Sequence, residues 1–145
     1  MILDAQLQFS SDQALTATAA STNIIDLSKD RNIGIQSEPL AVLVVVKVAA
    51  DAADGNETYT VTVQTDDNTG FSSATDVMPA FSIARGSAAG TKLAIPLPVS
   101  ESTERYIRLN YTLGGTTPSM TVDAWLTPMK NIQADVTYAD AVTIQ

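Results

Sequence analysis

Apolar residues fall at every second position along most of this chain, in short runs punctuated by turn formers, which is the period of half-buried β-strands. In "ILDAQLQF", Leu3, Ala5, Leu7 and Phe9 share one face, and Gln6 and Gln8 share the other. The short, Thr-rich stretches "ALTATAA" and "NIIDL" follow, and then a polar loop from Asp26 to Gly34, where the glycine suits positive φ. "LAVLVVVKVAA" breaks the alternation. Leu40, Val42, Val44, Val46 and Val48 form one face, and Ala41, Leu43, Val45 and Lys47 the other, so both are apolar over most of their length. Its β-branched residues lose side-chain freedom in a helix and fit a pleated sheet, which predicts a strand buried on both faces. Another segment of the chain or another subunit must cover the second face.

"ETYTVTVQT" is the cleanest strand, with Tyr59, Val61 and Val63 inward and Thr58, Thr60, Thr62 and Gln64 outward. "DDNTG" supplies turn chemistry, and a short strand is expected around Phe81 to Ile83. In "KLAIPLP", Leu93, Ile95 and Leu97 share a face, and Pro96 places the strand at an edge because it cannot donate to a ladder. "RYIRLNYT" and "MTVDAWL", joined by "GGTTPS", read as a hairpin. Beyond Pro128, Val136 with Tyr138 and Val142 with Ile144 suggest an extended arm. About eight strands and no amphipathic helix predict an all-β, antiparallel jelly roll or β-sandwich over residues 1–127, with an arm over 128–145.

Composition narrows the chemistry. A chain of 145 residues is the size of one domain and buries about 70% of its unfolded surface, so a single core suffices without staples. There is no cysteine, hence no disulfide framework, thiolate zinc site or thiol nucleophile. There is no histidine, which removes Ser-His-Asp and Cys-His catalysis and imidazole metal sites. The net charge of −8 and the scattered Lys and Arg argue against binding nucleic acid or an anionic membrane, and a basic protein surface is the easier partner. The same charge also serves plain solubility. "MILDAQLQFS" lacks a basic n-region, and the longest apolar run, Val42 to Val46, is too short to span a bilayer. A soluble protein made in the cytoplasm of the expressing cell is expected.

The candidate sites each have a plain alternative. Asp66, Asp67, Asn68 and Gly70 bring oxygen ligands together, but the EF-hand spacing fails and a turn explains them as well. Asp51, Asp54 and Glu57 could supply a carboxylate pair, yet Gly55 and Asn56 between acids also read as a solvated loop. The sequons at Asn56 and Asn110 mean little without a secretory signal. Trp125 lies opposite the apolar face of its strand, where it either packs under a loop or the C-terminal arm or anchors a protein contact. Tyr106 raises the same question, as does the second face of the Val-rich strand.

"NIIDLSKDRNIG", "YTVTVQTDDNTGFSSAT" and "ERYIRLNYTLGG", with the start "MILDAQLQFS", resemble in order and spacing the small capsid cement (decoration) proteins of tailed bacteriophages, a family first named from a Bordetella phage. The resemblance covers roughly residues 1–127, and the tail after Pro128 is longer than the family pattern. It implies a jelly-roll protein on the outer surface of an icosahedral phage head, made in the host bacterial cytoplasm. It would bind the junctions of the major capsid protein as a small homo-oligomer, dimer or trimer. No catalytic, metal or cofactor residues belong to the pattern. The candidate interface residues are Leu43, Val45, Tyr106, Trp125, Tyr138, Val142 and Ile144. The alternatives are a non-catalytic β-sandwich that binds carbohydrate, and a carboxylate enzyme. Few aromatic residues are expected to face outward, which counts against the first.

Overall fold

The Val-rich segment forms a nine-residue central strand of a computed structural model that describes residues 3–30, 33, 39–98 and 103–133. Ten strands are described: β1 (Gln8–Leu15), β2 (Ala19–Ala20), β3 (Ile25–Asp26), β4 (Leu40–Val48), β5 (Thr58–Asp66), β6 (Thr75–Asp76), β7 (Phe81–Ile83), β8 (Lys92–Pro96), β9 (Tyr106–Gly114) and β10 (Met120–Pro128). One helix, α1 (Met129–Gln133), follows directly on β10.

The strands form two antiparallel sheets, ordered β1-β10-β4-β8 and β2-β9-β5-β6, with β3 also on β9 and β7 also on β5. The pairings nest: β1 with β10, β2 and β3 with β9, β4 with β8, β5 with β6 and β7. A chain that pairs its first segment with its last and works inward is one long antiparallel hairpin rolled into two layers, the jelly-roll topology. β2 and β3 are two pieces of one interrupted strand. Ser21 makes the break: its N–H donates to the Leu109 carbonyl at 2.8 Å, while its hydroxyl accepts from the Leu109 N–H at 3.0 Å. With β6 and β7 counted likewise, the ten pieces make the eight expected strands.

The even face of β4 (Val42, Val44, Val46) meets Tyr59, Val61 and Val63 of β5 and Ile107, Leu109 and Tyr111 of β9 in the core, all close to fully buried. Each such side chain contributes about 1.5–3 kcal/mol on burial. Both core tyrosines carry a hydroxyl that finds a partner. Tyr111 Oη is 2.9 Å from Ser10 Oγ and so links the two sheets. Tyr59 donates to the carbonyls of Asp51 and Ser119 and accepts from the Ser119 N–H, which ties two loops together.

Two expectations are corrected. Leu3, Ala5, Leu7 and Phe9 do not share a strand face. Asp4 Oδ1 accepts the Gln6 N–H at 2.9 Å and caps a 3₁₀ turn over Ala5–Leu7, so the strand begins at Gln8 and only Phe9 of the four is buried. β9 and β10 are not a hairpin, since they belong to different sheets and the Gly-rich turn crosses between layers. Residues 129–133, within the expected arm, form helix α1, whose Met129 N–H donates to the Pro39 carbonyl at 2.8 Å. Gly34, Val136, Tyr138, Val142 and Ile144 lie outside the described residues.

The crossing turn requires Gly115, at φ +91°, where an added Cβ would lie 2.5 Å from the Asn56 carbonyl oxygen. Gly55, at φ +73°, has open space around it. Gly115→Ala should therefore cost about 2–4 kcal/mol from backbone strain plus overlap. Gly55→Ala should cost about 1–2 kcal/mol from strain alone. Urea denaturation of the two variants checks the difference, and equal costs would remove the close approach as its cause.

Candidate functional site

The outward face of the first sheet collects three of the sequence-predicted interface residues. Across the strands, Gln8, Trp125, Leu43 and Ala94 lie in one row, and Asp123, Val45 and Lys92 in the next. Trp125 and Val45 are half-buried. Leu43 is fully buried although it does not belong to the core between the sheets. The chain itself therefore covers this residue, and Leu43 presents no surface to a partner. The 3₁₀ turn lies against β10, and α1 lies against both β10 and β4.

At the far end of this face, Lys47 Nζ lies 3.4 Å from Asp123 Oδ2 and 3.7 Å from Asp12 Oδ1. Asp123 Oδ1 also accepts the Asp12 N–H at 2.6 Å. Asp12 sits at positive φ, +44°, where β1 shifts register on β10. The bulge turns its amide toward β10, so one lysine and two aspartates tie β1, β10 and β4 together. Periodicity marked Lys47 only as a member of the second face; its partners lie far away in sequence.

Tyr106 does not join that face. It lies on β9 in the other sheet, paired with Asp26 and Asp66, and the Arg105 guanidinium sits 4.8 Å from its ring centroid. Arg105 also makes a bidentate pair with Asp26 at 2.9 and 2.8 Å. The Arg105 hydrogen bonds, helped by the Ser28 amide, hold the Asp26 carboxyl at about 2. Arg108 stacks over Phe71 at 4.1 Å and donates to Gln64. The described aromatic rings are thus buried or half-buried, and two lie beneath arginines.

The acidic candidates serve their own loops. Asp66 is fully buried, and its oxygens accept from the Asn68 amide at 3.0 Å, the Asn68 side chain at 2.7 Å and the Ser73 amide at 2.9 Å. Burial pushes its pKa up, but the Asn68 and Ser73 amides outweigh it and hold the carboxyl below the ordinary range. Asp67 and Glu104 bring their carboxylate oxygens within 4.8 Å of this group, the one such trio of acids among the described residues. Glu104 is delivered by the chain entering β9, its N–H donating to Thr65 Oγ1 at 2.8 Å, and no local spacing announced it.

Asp51 accepts the amides of Ala52 and Ala53, and Asp54 accepts the Thr117 hydroxyl. Glu57 is buried and accepts the Asp54 amide at 2.7 Å. Its Oε2 makes no hydrogen bond of normal geometry, yet the amides of Asp54, Gly55, Asn56 and Glu57 surround the carboxylate and offset the upward push of burial, leaving its pKa lowered. Arg85 donates to the Gly55 carbonyl, and Asn56 exchanges bonds with Thr116 across the loops. These acids hold a stiff loop pair.

These features define a jelly-roll domain of the architecture that viral shell and lectin domains share. The chain belongs to the Bbp16 family, whose model matches residues 9–126, nearly the whole sandwich. The family name points to a Bordetella phage protein, and this is a phage-related family. A comparison with curated proteins found no match. Among solved structures, the chain is similar to one titled "Crystal structure of PirA", at 8% identity, covering 81% of this chain and 96% of that one. The TM-score of 0.39 is too low for that likeness to bear on function.

The staples predict an acid-labile fold. Asp26, Glu57 and Asp66 all have folded pKa values below their unfolded ones, so the unfolded chain binds more protons at acid pH. Their contribution is complete above the ordinary values of 3.8 and 4.5 and is lost as pH falls through the lowered values, which for Asp26 is about 2. Urea midpoints should drop over that window, and Asp26→Asn should flatten part of the drop. An acid limb identical in the variant would remove Asp26 from the account. Burial raises Tyr59 and Tyr111 above their usual range, so stability should also fall as pH rises past 10.

Proposed function

We propose that this chain is a structural virion protein that binds the outer surface of an icosahedral phage head and stabilises contacts between major capsid protein subunits. The observation that carries the reading is the match of a phage-related family to residues 9–126, a span coincident with the jelly roll. The engaged acids support it, because stiff loops fixed by Asp51, Asp54, Glu57 and Asp66 suit a wedge that transmits load.

A protein that binds the assembled lattice and not the free subunit shifts the balance toward assembly by mass action, by about 2.7 kcal/mol per site at 100 times its Kd. Many copies on one shell add such terms, and a dimer or trimer gains avidity. The contact surface proposed is the outward face of the first sheet around Val45 and Trp125, with Tyr106 and the C-terminal arm as further contacts. No cofactor, nucleic acid or membrane takes part. The protein is made in the host cytoplasm and acts on the virion.

Heads assembled without this chain, mixed with the purified protein and sedimented, provide the test. The protein should co-sediment and should raise the temperature at which the heads release DNA. Trp125→Ala and Val45→Asp should each weaken co-sedimentation about tenfold or more, as loss of a buried interface anchor does. Heads that neither bind the protein nor gain heat resistance would end this reading.

A further inference from the structure

Three connections cross between the sheets at one end of the sandwich: residues 49–57 after β4, 84–91 after β7 and 115–119 after β9. Main-chain bonds join them. The Ala50 N–H donates to the Ser87 carbonyl at 3.0 Å, the Gly86 N–H to the Ala50 carbonyl at 3.0 Å, and the Asp51 N–H to the Ser119 carbonyl at 2.8 Å. The 49–57 connection thus bonds both of the others.

Glu57 shapes the tip of that connection. Its side chain is buried, it accepts the Asp54 N–H at 2.7 Å, and the amides of Gly55, Asn56 and Glu57 also face the carboxylate. A carboxylate that gathers several amides fixes the backbone that carries them. The same backbone presents the groups that reach the neighbouring loops. The Gly55 carbonyl accepts from Arg85, Asn56 Oδ1 accepts the Thr116 N–H at 3.0 Å, and Asp54 accepts the Thr117 hydroxyl at 3.1 Å. One buried acid therefore lies beneath bonds to both loops.

Few other titratable groups share this end. Asp51 and Asp54 belong to the same connection, Tyr59 follows it in β5, and Arg85 comes from 84–91. Residues 115–119 are Gly, Thr, Thr, Pro and Ser, and carry no charge. Asp51 serves the amides of Ala52 and Ala53, and Asp54 serves a hydroxyl, and neither of these acids is buried. Only Glu57 is both buried and set beneath the loop contacts.

We propose that Glu57 is an acid-released latch: while ionised it locks the three connections as one unit, and on protonation they part while both sheets stay paired. A protonated carboxyl no longer attracts the amides that the turn aims at it. The sheets do not need the latch, because β5 and β9 stay in unbroken register from Thr58 to Asp66. Local units of this kind open well below the cost of global unfolding. The sign follows from the lowered pKa of Glu57. The latch is closed above the ordinary value of 4.5 and opens as pH falls through the lowered one. The loss of stability expected for the whole fold concerns both sheets, whereas this release is confined to one end.

Hydrogen exchange of the full chain, read amide by amide, provides the test. The amides of Ala50, Gly86 and Thr116 report the latch, since each bridges two connections and none bonds Glu57. Thr62 and Asn110, opposite each other on β5 and β9, report the sheets. At neutral pH, Glu57→Gln should lower protection of the latch amides about tenfold or more and spare the sheet amides. Asp54→Asn, which keeps an acceptor for Thr117, should change neither set. As the wild type is acidified, the latch amides should lose protection at a higher pH than the sheet amides. If Glu57→Gln loosens the Asp54 amide alone, or nothing, Glu57 serves only its own turn and the latch is overturned. Equal loosening by Asp54→Asn overturns the assignment to Glu57. A Glu57→Gln chain that fails to fold leaves the wild-type acid series to decide, and latch and sheet amides lost together in that series overturn the proposal.

Discussion

Ala41, Val42, Leu43 and Val44 are consecutive and all completely shielded from water. A strand with that property needs cover on two faces and pairing along two edges, because a buried backbone group without a partner is costly. β10 and β8 supply the edges, and the second sheet supplies one face. The other face is closed by the chain itself, beside the 3₁₀ turn, Trp125 and α1. The nested pairing follows from the same demand. The middle of the sequence can lie inside both layers only if earlier and later segments wrap around it, which a rolled hairpin achieves.

Polar groups inside this wrapping are used for closure. Ser10 and Tyr111 join the sheets, Tyr59 joins the loops after β4 and β9, and Asp66 organises the turn after β5. Each such bond adds about 0.5–1.5 kcal/mol net, but leaving one partner unmatched costs more, so the set fixes a single arrangement. Acidic residues that might have served chemistry are drawn into the same task. The Glu57 and Asp66 carboxylates point at amides of their own loops, which favours the charged form and stiffens the backbone at once. The price of stiffness is acid sensitivity, since Asp26, Glu57 and Asp66 hold best while ionised.

Much of this fold is legible in sequence. The alternation of Tyr59, Val61 and Val63, and of Ile107, Leu109 and Tyr111, gives two strands with the correct inward faces, and Pro96 marks an edge. What periodicity cannot convey is which strands meet. "GGTTPS" carries strong turn chemistry, yet Gly115 is needed for its close approach to Asn56 as the chain crosses between layers, and a crossing turn and a hairpin turn share composition. The first turn was lost to Asp4, a single cap that outweighs an alternating pattern. The interface candidates divide in the same way. Trp125, Val45 and Leu43 fall together because strand register places them so, while Tyr106 lies on the other sheet and Leu43 is sealed from within. Glu104 beside Asp66, and Asp12 beside Lys47, are long-range pairs that no local window contains.

A rolled sandwich, unlike a closed barrel, must end its sheets somewhere, and where it ends them bears on function. β1 ends the first sheet with two register shifts and a bulge bound to Asp123, and the second sheet ends at one side in the broken pair β2 and β3. Such irregular edges resist further pairing. β8 is different: its five residues keep regular register with β4, and the apolar floor of the core comes to the surface beside it. Its Pro96 sits where the missing N–H would point away from β4, so the ladder between the two strands loses no bond.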